Sequence, residues 1–135
     1  KVIQVLGGGV CQVSSTLFSA ILYTDLDVVE RANHSMPVHY VPSGMDATVF
    51  WDSPDFKFEN NHKYPVKIEM SVDSSSTLTV KIVGTKESDY TVVPRVEQTD
   101  EMSNVTYRDY KDANGNVVKT EAVCASKYKP LNSSN

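Results

Sequence analysis

Residues 7–17 read Gly-Gly-Gly-Val-Cys-Gln-Val-Ser-Ser-Thr-Leu, and this stretch decides how the rest of the chain is interpreted. The three glycines end a short β segment over residues 1–6 and permit a tight turn. From Val10 onward, apolar side chains recur at helical spacing. The sequence therefore predicts a helix of about a dozen residues that closes at residues 23–25.

The chain after this helix has the pattern of β-strands. Residues 66–72 and 78–82 alternate apolar and polar side chains around a turn, which predicts an antiparallel hairpin. Asn114-Gly115 predicts a second hairpin turn. Further strands are expected at residues 27–30, 37–41, 47–51, 56–59, 90–93 and 104–110. The predicted fold class is α+β, with one buried helix packed on a mostly antiparallel β-sheet and a β-rich C-terminal appendage.

Length and composition fit one globular domain with an appendage. The chain has 135 residues, of which 40% are hydrophobic and 22% charged, enough to bury a core without a metal or disulfide framework. Composition shifts near residues 84–88, so we expect a core domain over 1–84 and a β appendage or linker over 85–135. The first residue is Lys1 rather than Met, and we interpret the chain as a fragment of a longer protein.

The charge and hydropathy of the chain argue against nucleic-acid binding and against a membrane-spanning segment. The net charge is −4, which argues against a nucleic-acid partner, because phosphate binding needs a clustered basic face. No apolar run approaches the roughly 18 residues needed to span a bilayer.

Cys11 is the strongest candidate for chemistry. It stands at a predicted helix N-terminus, where unpaired N–H groups and the positive end of the helix dipole stabilise a thiolate. A thiolate in this position can act as a nucleophile, and the same N–H groups can stabilise the oxyanion of a tetrahedral intermediate. A structural cysteine at a tight turn is the alternative. The residues expected to bind the oxyanion or substrate are Gly8, Gly9, Gln12 and Val13.

A nucleophilic cysteine needs a base, and the chain has three histidines, His34, His39 and His62. The spacing of five puts His34 and His39 on opposite faces of an extended segment, so we expect only one of them to face Cys11. Asp46, at the start of the next predicted strand, is expected to orient the imidazole. Packing and turn roles remain open for these residues.

Metal binding is the alternative chemistry. The side chains of Cys11, His34, His39 and Asp46 are types that bind zinc, but none of their spacings matches a known metal motif. We therefore expect neither a metal nor a cofactor. The second cysteine, Cys124, alternates with its neighbours and is predicted to be a half-buried strand residue.

Residues 7–17 resemble the signature of the VanW family, and the similarity covers roughly residues 1–84. The resemblance implies an exported protein of the Gram-positive cell envelope, often with a membrane anchor and a peptidoglycan-binding region upstream. Residues 107–130 resemble the β tail that often follows this domain. Further matching elements are Glu30-Arg31, His34-Ser35, residues 37–42, Gly44, Asp46-Ala47-Thr48-Val49, residues 55–58 and Asn60.

The resemblance also implies an activity. Some VanW-domain proteins are understood to act as L,D-transpeptidases through the signature cysteine, so Cys11 is the implied nucleophile on peptidoglycan stem peptides. His34 matches the His-Ser pair of the family and is the implied base, whereas His39 stands where the family varies. Asp46 matches the Asp-Ala-Thr element. Transfer to water would give an L,D-carboxypeptidase, and a non-catalytic peptidoglycan-binding or scaffold module is the alternative function.

The chain departs from the family pattern at its start. Domains of this family normally have more chain before the glycines, including an aromatic-rich stretch. We therefore expect part of the substrate cleft to be missing from the fragment, and activity to belong to the longer protein.

Overall fold

The computed structural model describes residues 9–130, and this part of the chain contains one helix and seven strands. Helix α1 spans Val10–Ile21. Strands β1–β2, strands β3–β4 and strands β5–β6–β7 form three separate antiparallel sheets. The strands are β1 Asp27–Glu30, β2 Lys57–Glu59, β3 Lys67–Val72, β4 Leu78–Val83, β5 Thr91–Asp100, β6 Ser103–Lys111 and β7 Val117–Lys127.

The predicted α+β class is confirmed, with three small sheets in place of one larger sheet. The helix has the predicted length. Both hairpin turns are present, since Asp73 N–H donates to Thr77 O at 3.1 Å and Asp112 N–H donates to Asn116 O at 2.9 Å. The predicted β segment over residues 1–6 lies outside the described residues. Within residues 9–130, no helix is long and apolar enough to cross a membrane.

The strands predicted at residues 37–41 and 47–51 are wrong, because both segments are irregular loop. Their backbone groups find partners outside any ladder. Thr48 N–H donates to Ala32 O at 2.8 Å, and Ala47 N–H donates to a side chain, Ser15 Oγ, at 3.0 Å. The β-branched and aromatic residues of 47–51 therefore do not report strand pairing. The loop instead lies against the helix.

The core lies between α1 and this loop. Phe18 and Leu22 share one helix face because they are four residues apart, and they pack with Ala47 in a cluster with no exposure to water. The Phe18 and Phe56 rings meet edge to face, with centroids 5.4 Å apart. Burying each large apolar side chain contributes about 1.5–3 kcal/mol. Partly buried neighbours of the cluster are Val28, Met45, Val123 and Cys124.

A row of serines fixes the loop to the helix. Ser14 Oγ and Ser15 Oγ both donate to Ala47 O, at 2.6 and 3.1 Å. One turn further along, Ser19 Oγ donates to Met45 O at 2.8 Å. The loop segment before Val49 is thereby held against the first turns of α1, which contain Cys11.

The three-stranded sheet contacts the residues before 85 through buried hydrogen bonds. Arg108 in β6 is almost fully buried and its Nη1 donates to Thr24 O at 2.7 Å and to Leu26 O at 2.8 Å. Thr106 Oγ1 donates to Gly44 O at 2.7 Å. These bonds satisfy carbonyl groups that the irregular loops would otherwise bury without partners.

Candidate active site around Cys11

Cys11 lies in the first turn of α1, which begins after the N-cap residue Gly9. Its side chain is half-buried and faces the loop that the serines hold in place. Val49 N–H donates to Sγ at 3.5 Å, and the thiol lies 3.4 Å from Val49 O. Thr48 Oγ1 is 3.6 Å from Sγ. Sulfur therefore has both a donor and an acceptor beside it, which suits a group that alternates between thiol and thiolate.

The two cysteines differ in acidity. Burial raises the pKa of Cys11, but hydrogen bonds from Val49 N–H, Thr48 and His34 outweigh it, and the pKa lies below the ordinary value. Cys124 is half-buried in β7, as predicted, and there burial holds the pKa above the ordinary value. The protein thus stabilises the thiolate of one cysteine and opposes that of the other.

His34 lies beside Cys11 and is tied to Asp46. His34 Nδ1 is 2.7 Å from Asp46 Oδ2, and the backbone N–H of His34 donates to the same oxygen at 2.8 Å. The hydrogen bond with Asp46 raises the pKa of His34, and the neighbouring Cys11 raises it further against the effect of burial. With Nδ1 occupied by the carboxylate, Nε2 is the nitrogen that remains for the thiol.

Asp46 is fully buried and surrounded by donors. Its Oδ1 accepts hydrogen bonds from Arg31 Nη2 at 3.3 Å and from the Tyr128 hydroxyl. Burial raises the pKa of Asp46, but bonds from His34, Tyr128 and the Arg31 charge together hold it below its usual range. The carboxylate therefore stays ionised and can stabilise an imidazolium.

Arg31 and Tyr128 are in turn held in place. Arg31 Nε donates to Asp46 O at 2.7 Å and its Nη1 donates to Ser126 Oγ at 2.7 Å. The guanidinium also lies over the Phe18 ring, 5.0 Å from its centroid. The Tyr128 hydroxyl accepts Gly44 N–H at 2.8 Å. Ser126, near the end of β7, and Tyr128, just beyond it, thus support the Asp46 carboxylate. Asp46 lies 82 positions before Tyr128 in the sequence.

Tyr40 stands on the other side of the imidazole. Its hydroxyl oxygen is 3.3 Å from His34 Nε2, and the two rings meet edge to face with centroids 6.2 Å apart. Burial raises the pKa of Tyr40, so the phenol keeps its proton at neutral pH.

The structure describes three of the four residues predicted to bind the oxyanion or substrate, namely Gly9, Gln12 and Val13. Gly8 lies outside the described residues. Gly9 is the N-cap of the helix, and Val13 N–H donates to Gly9 O at 3.2 Å. The expected role of Gly9 and Val13 toward an oxyanion or substrate stays a prediction. For Gln12 N–H, residues 9–130 supply no acceptor. The residue four positions before Gln12 lies outside the described residues, and Gln12 stays a predicted donor.

His39 borders this site through Tyr40, whereas His62 lies apart from it. His39 is exposed, and its ring packs edge to face on the Tyr40 ring at 5.5 Å. His62 Nε2 is 2.5 Å from Asp25 Oδ1, and its Nδ1 is 3.2 Å from Glu87 Oε2. These contacts tie loops together on a different part of the surface. Among the described residues, no group of three or more His, Cys, Asp or Glu side chains could hold a metal ion.

Several residues of the site had no role assigned from sequence. Arg31, Tyr40 and Thr48 belong to the further elements that match the family, but no local sequence pattern indicates what they contact. Tyr128 lies far along the chain, and only the fold brings it to Asp46. Ser14-Ser15 did carry a signal, since polar residues on the buried side of an amphipathic helix need partners.

Comparison with known proteins shows which sequences this chain is similar to. The chain is 52% identical over 63 residues to the uncharacterized protein YoaR of Bacillus subtilis (strain 168), which covers 47% of the chain and 21% of that protein. It is 30% identical over 89 residues to the vancomycin B-type resistance protein VanW of Enterococcus faecalis (strain ATCC 700802 / V583), which covers 62% of the chain and 30% of that protein. The chain thus spans less than a third of either relative.

No solved structure matches the chain. The family model described as VanW like protein matches residues 1–83, which include the helix, Cys11, His34 and Asp46. The chain belongs to the VanW-like protein family.

Proposed function

We propose that this chain carries out cysteine-dependent acyl transfer on peptidoglycan stem peptides, in the manner of an L,D-transpeptidase. The observation that carries the proposal is the continuous series from the Cys11 thiol through His34 to the buried Asp46 carboxylate. A low thiol pKa, an adjacent imidazole and an orienting carboxylate are together what a cysteine acyltransferase needs.

In the proposed reaction, the His34 imidazole takes the proton of the Cys11 thiol. Sγ then attacks the carbonyl carbon of an L-residue in a donor stem, so that a C–S bond forms and the carbonyl π pair moves to oxygen. The intermediate collapses, the C–N bond to the terminal D-residue breaks, and His34 returns the proton to the leaving amine. An acceptor amine, or water, then gives a proton to His34 and attacks the thioester carbonyl carbon. A C–N or C–O bond forms, the C–S bond breaks, and His34 returns the proton to Sγ.

The choice of substrate rests on the family. The Enterococcus faecalis relative is named for vancomycin B-type resistance, which supports a role at the cell envelope and an extracytoplasmic location. The chain spans less than a third of each relative, so the activity of the whole protein on wall peptides is part of this proposal.

Purified muropeptides incubated with the full-length protein test the proposal. We expect new cross-linked species by mass spectrometry from the native protein and from a Cys124→Ala variant, and none from Cys11→Ala. A carboxypeptidase would instead yield stems that are shorter by one D-residue. Equal product from native protein and Cys11→Ala would overturn cysteine catalysis.

An observation favours a second function, a non-catalytic wall-binding module. Phe50 and Trp51, directly after the segment that contacts Cys11, are 72% and 89% exposed, as ligand-binding aromatics often are. In that case Cys11 is a packed residue. The two functions separate in the muropeptide experiment: retention of the Cys11→Ala protein on intact sacculi, together with no product from the native protein, would favour binding.

A further inference from the structure

The Tyr40 hydroxyl occupies a place in the site that the thiol, imidazole and carboxylate do not explain. It lies 3.3 Å from His34 Nε2, the nitrogen that serves Cys11, and it is close enough to Cys11 for the thiolate charge to raise the pKa of the phenol. The ring contact with His34 fixes where the hydroxyl lies. A protonated hydroxyl is therefore held beside both reacting groups.

Two acceptors lie near the hydroxyl proton of Tyr40, namely His34 Nε2 and the Ser15 hydroxyl. Ser15 Oγ donates to Ala47 O at 3.1 Å and accepts Ala47 N–H at 3.0 Å, so one of its lone pairs is left for Tyr40. When Nε2 carries a proton and is directed at sulfur, it no longer accepts from Tyr40. The phenol O–H can then donate to a substrate oxygen at the moment when Sγ attacks, with Ser15 Oγ as its other acceptor.

The first turn of α1 supplies backbone donors next to the sulfur. Val13 N–H is engaged by Gly9 O at 3.2 Å, whereas the N–H groups of the helical residues before it, that of Cys11 among them, precede this first bond. Oxyanion sites generally use two donors, aimed at the oxygen where charge develops. A side chain that borders the sulfur can add a donor to these backbone groups.

We propose that the Tyr40 hydroxyl is a catalytic donor, which hydrogen-bonds the oxyanion of the tetrahedral intermediate formed on Cys11. This inference rests on the proposed function. When Sγ adds to the carbonyl carbon, the π pair becomes a lone pair on oxygen and the Tyr40 O–H donates to it without transferring its proton. When the intermediate collapses, the pair returns to the C=O bond and the hydroxyl again faces His34.

Two reactions of the same thiol separate this role from a positioning role. Acylation of Cys11 by p-nitrophenyl acetate passes through an oxyanion, whereas alkylation by iodoacetamide does not. We expect Tyr40→Phe, in a Cys124→Ala background of the full-length protein, to slow acylation by roughly 100-fold. Alkylation should stay within about twofold of the parent rate, because no oxyanion forms. Tyr23→Phe, a change at an exposed tyrosine outside the site, should alter neither rate.

The acylation and alkylation rates together distinguish a catalytic Tyr40 from a positioning one. Equal slowing of both reactions would overturn the proposal and make Tyr40 a positioning residue for His34, and unchanged acylation would also overturn it. Tyr40→Gln, which keeps an N–H donor, should acylate faster than Tyr40→Phe and guards against a folding defect. If the protein fails to act on muropeptides but acylation still depends on Tyr40, the proposed substrate is wrong. The role of Tyr40 as an oxyanion donor is then still supported.

Discussion

At the scale of single residues, the site depends on a carboxylate that has no contact with water. Asp46 is fully buried, and a buried charge is costly unless hydrogen-bonded and paired. Its partners carry opposite charge, as Arg31 does, or gain charge during the proposed reaction, as His34 does. Arg31 and His34 thus help to keep the Asp46 carboxylate ionised, and the carboxylate in turn orients their side chains.

The first prediction concerns thiol reactivity. Because hydrogen bonds lower the pKa of Cys11 and burial raises that of Cys124, Cys11 carries the larger fraction of thiolate at neutral pH. We expect iodoacetamide to modify Cys11 at least about tenfold faster than Cys124 in the folded protein, measured by peptide mass mapping over time. In denaturant the two rates should converge. Equal rates in the folded state would remove the physical basis for the nucleophile.

The second prediction separates two histidines that both contact the Tyr40 ring, with ring centroids 6.2 Å away for His34 and 5.5 Å away for His39. His34 bonds Asp46 and His39 is exposed. We expect His34→Ala to reduce turnover of the full-length protein by roughly 100-fold or more, with His39→Ala retaining most of it. Muropeptide product formation measures both. An inactive His39 variant beside an active His34 variant would reverse the assignment.

The third prediction concerns how the free energy of unfolding depends on pH. The folded pKa of Asp46 lies below its ordinary value of 3.8, so its stabilising contribution is present above that pH and is lost as pH falls through the folded pKa. The folded pKa of His34 lies above 6.5, so its contribution is full below that pH and fades as pH rises through the folded value. The bond between the two side chains therefore stabilises most between about pH 4 and 6.5.

Asp46→Asn measures the acid side of this window. We expect the variant to lose about 3 kcal/mol of unfolding free energy near pH 6, because it leaves Arg31 buried without its carboxylate. The difference from the native protein should shrink as pH falls below 4. Denaturant titrations at several pH values give both quantities. A difference that is constant down to pH 2 would show that Asp46 is not ionised in the folded state.

At the scale of elements, the site is a junction between a helix start and an irregular loop. The loop follows no ladder, yet its Ala47 and Met45 carbonyl groups are held by serines of α1. This arrangement places Val49 N–H at the sulfur. Side-chain bonds to backbone thereby take the place of strand pairing.

Periodicity explains which elements could be predicted from sequence. The helix and both hairpins repeat a local pattern, so α1 and the turns at residues 73–77 and 112–116 were predicted correctly. Residues 47–51 carry strand-like side chains for other reasons: Ala47 is part of the core, Thr48 and Val49 contact Cys11, and the Phe50 and Trp51 side chains are exposed. Arg31 and Tyr128 could not be assigned because their partners lie 15 and 82 positions away, and no local pattern encodes such a contact.

The fourth prediction concerns the turn that leads into Asp46. Gly44 has φ +92°, and a Cβ there would lie 2.7 Å from Asn104 Oδ1. Gly115 has φ +82° but open space around it, so it is a matched control for backbone strain alone. We expect Gly115→Ala to cost about 1–2 kcal/mol and Gly44→Ala to cost a further 1–3 kcal/mol, roughly, from overpacking. Denaturant melts measure both, and equal costs would contradict the described contact.

At the scale of the whole molecule, the three-stranded sheet and the helix-bearing part share the site. The sheet segment supplies Ser126 to Arg31 and is followed by Tyr128, which bonds Asp46 and Gly44. Lys129 N–H also donates to Ser35 O at 2.7 Å, next to His34. The expected boundary near residue 84 therefore separates two stretches of sequence that are joined at the proposed catalytic carboxylate.

The fifth prediction tests that dependence. A chain that ends at residue 84 loses the Tyr128 bond to Asp46 and the β6 bonds to Gly44, Thr24 and Leu26. We expect it to lose cooperative thermal unfolding and the enhanced alkylation of Cys11. Tyr128→Phe in the intact chain is the matched control and should cost about 1–3 kcal/mol while the fold persists. A truncated chain that alkylates at the intact rate would show an independent core.

The bond between Tyr128 and Asp46, 82 positions apart, also sets the order in which the site is assembled. Closing so long a loop is entropically slow compared with forming a helical turn. As the chain is synthesised, Cys11 emerges well before Tyr128. Until β7 has docked, Asp46 lacks its bond from Tyr128, and the cysteine lacks a fixed partner for its base and reacts as an ordinary thiol. We therefore expect maturation of the nucleophile to follow docking of the three-stranded sheet.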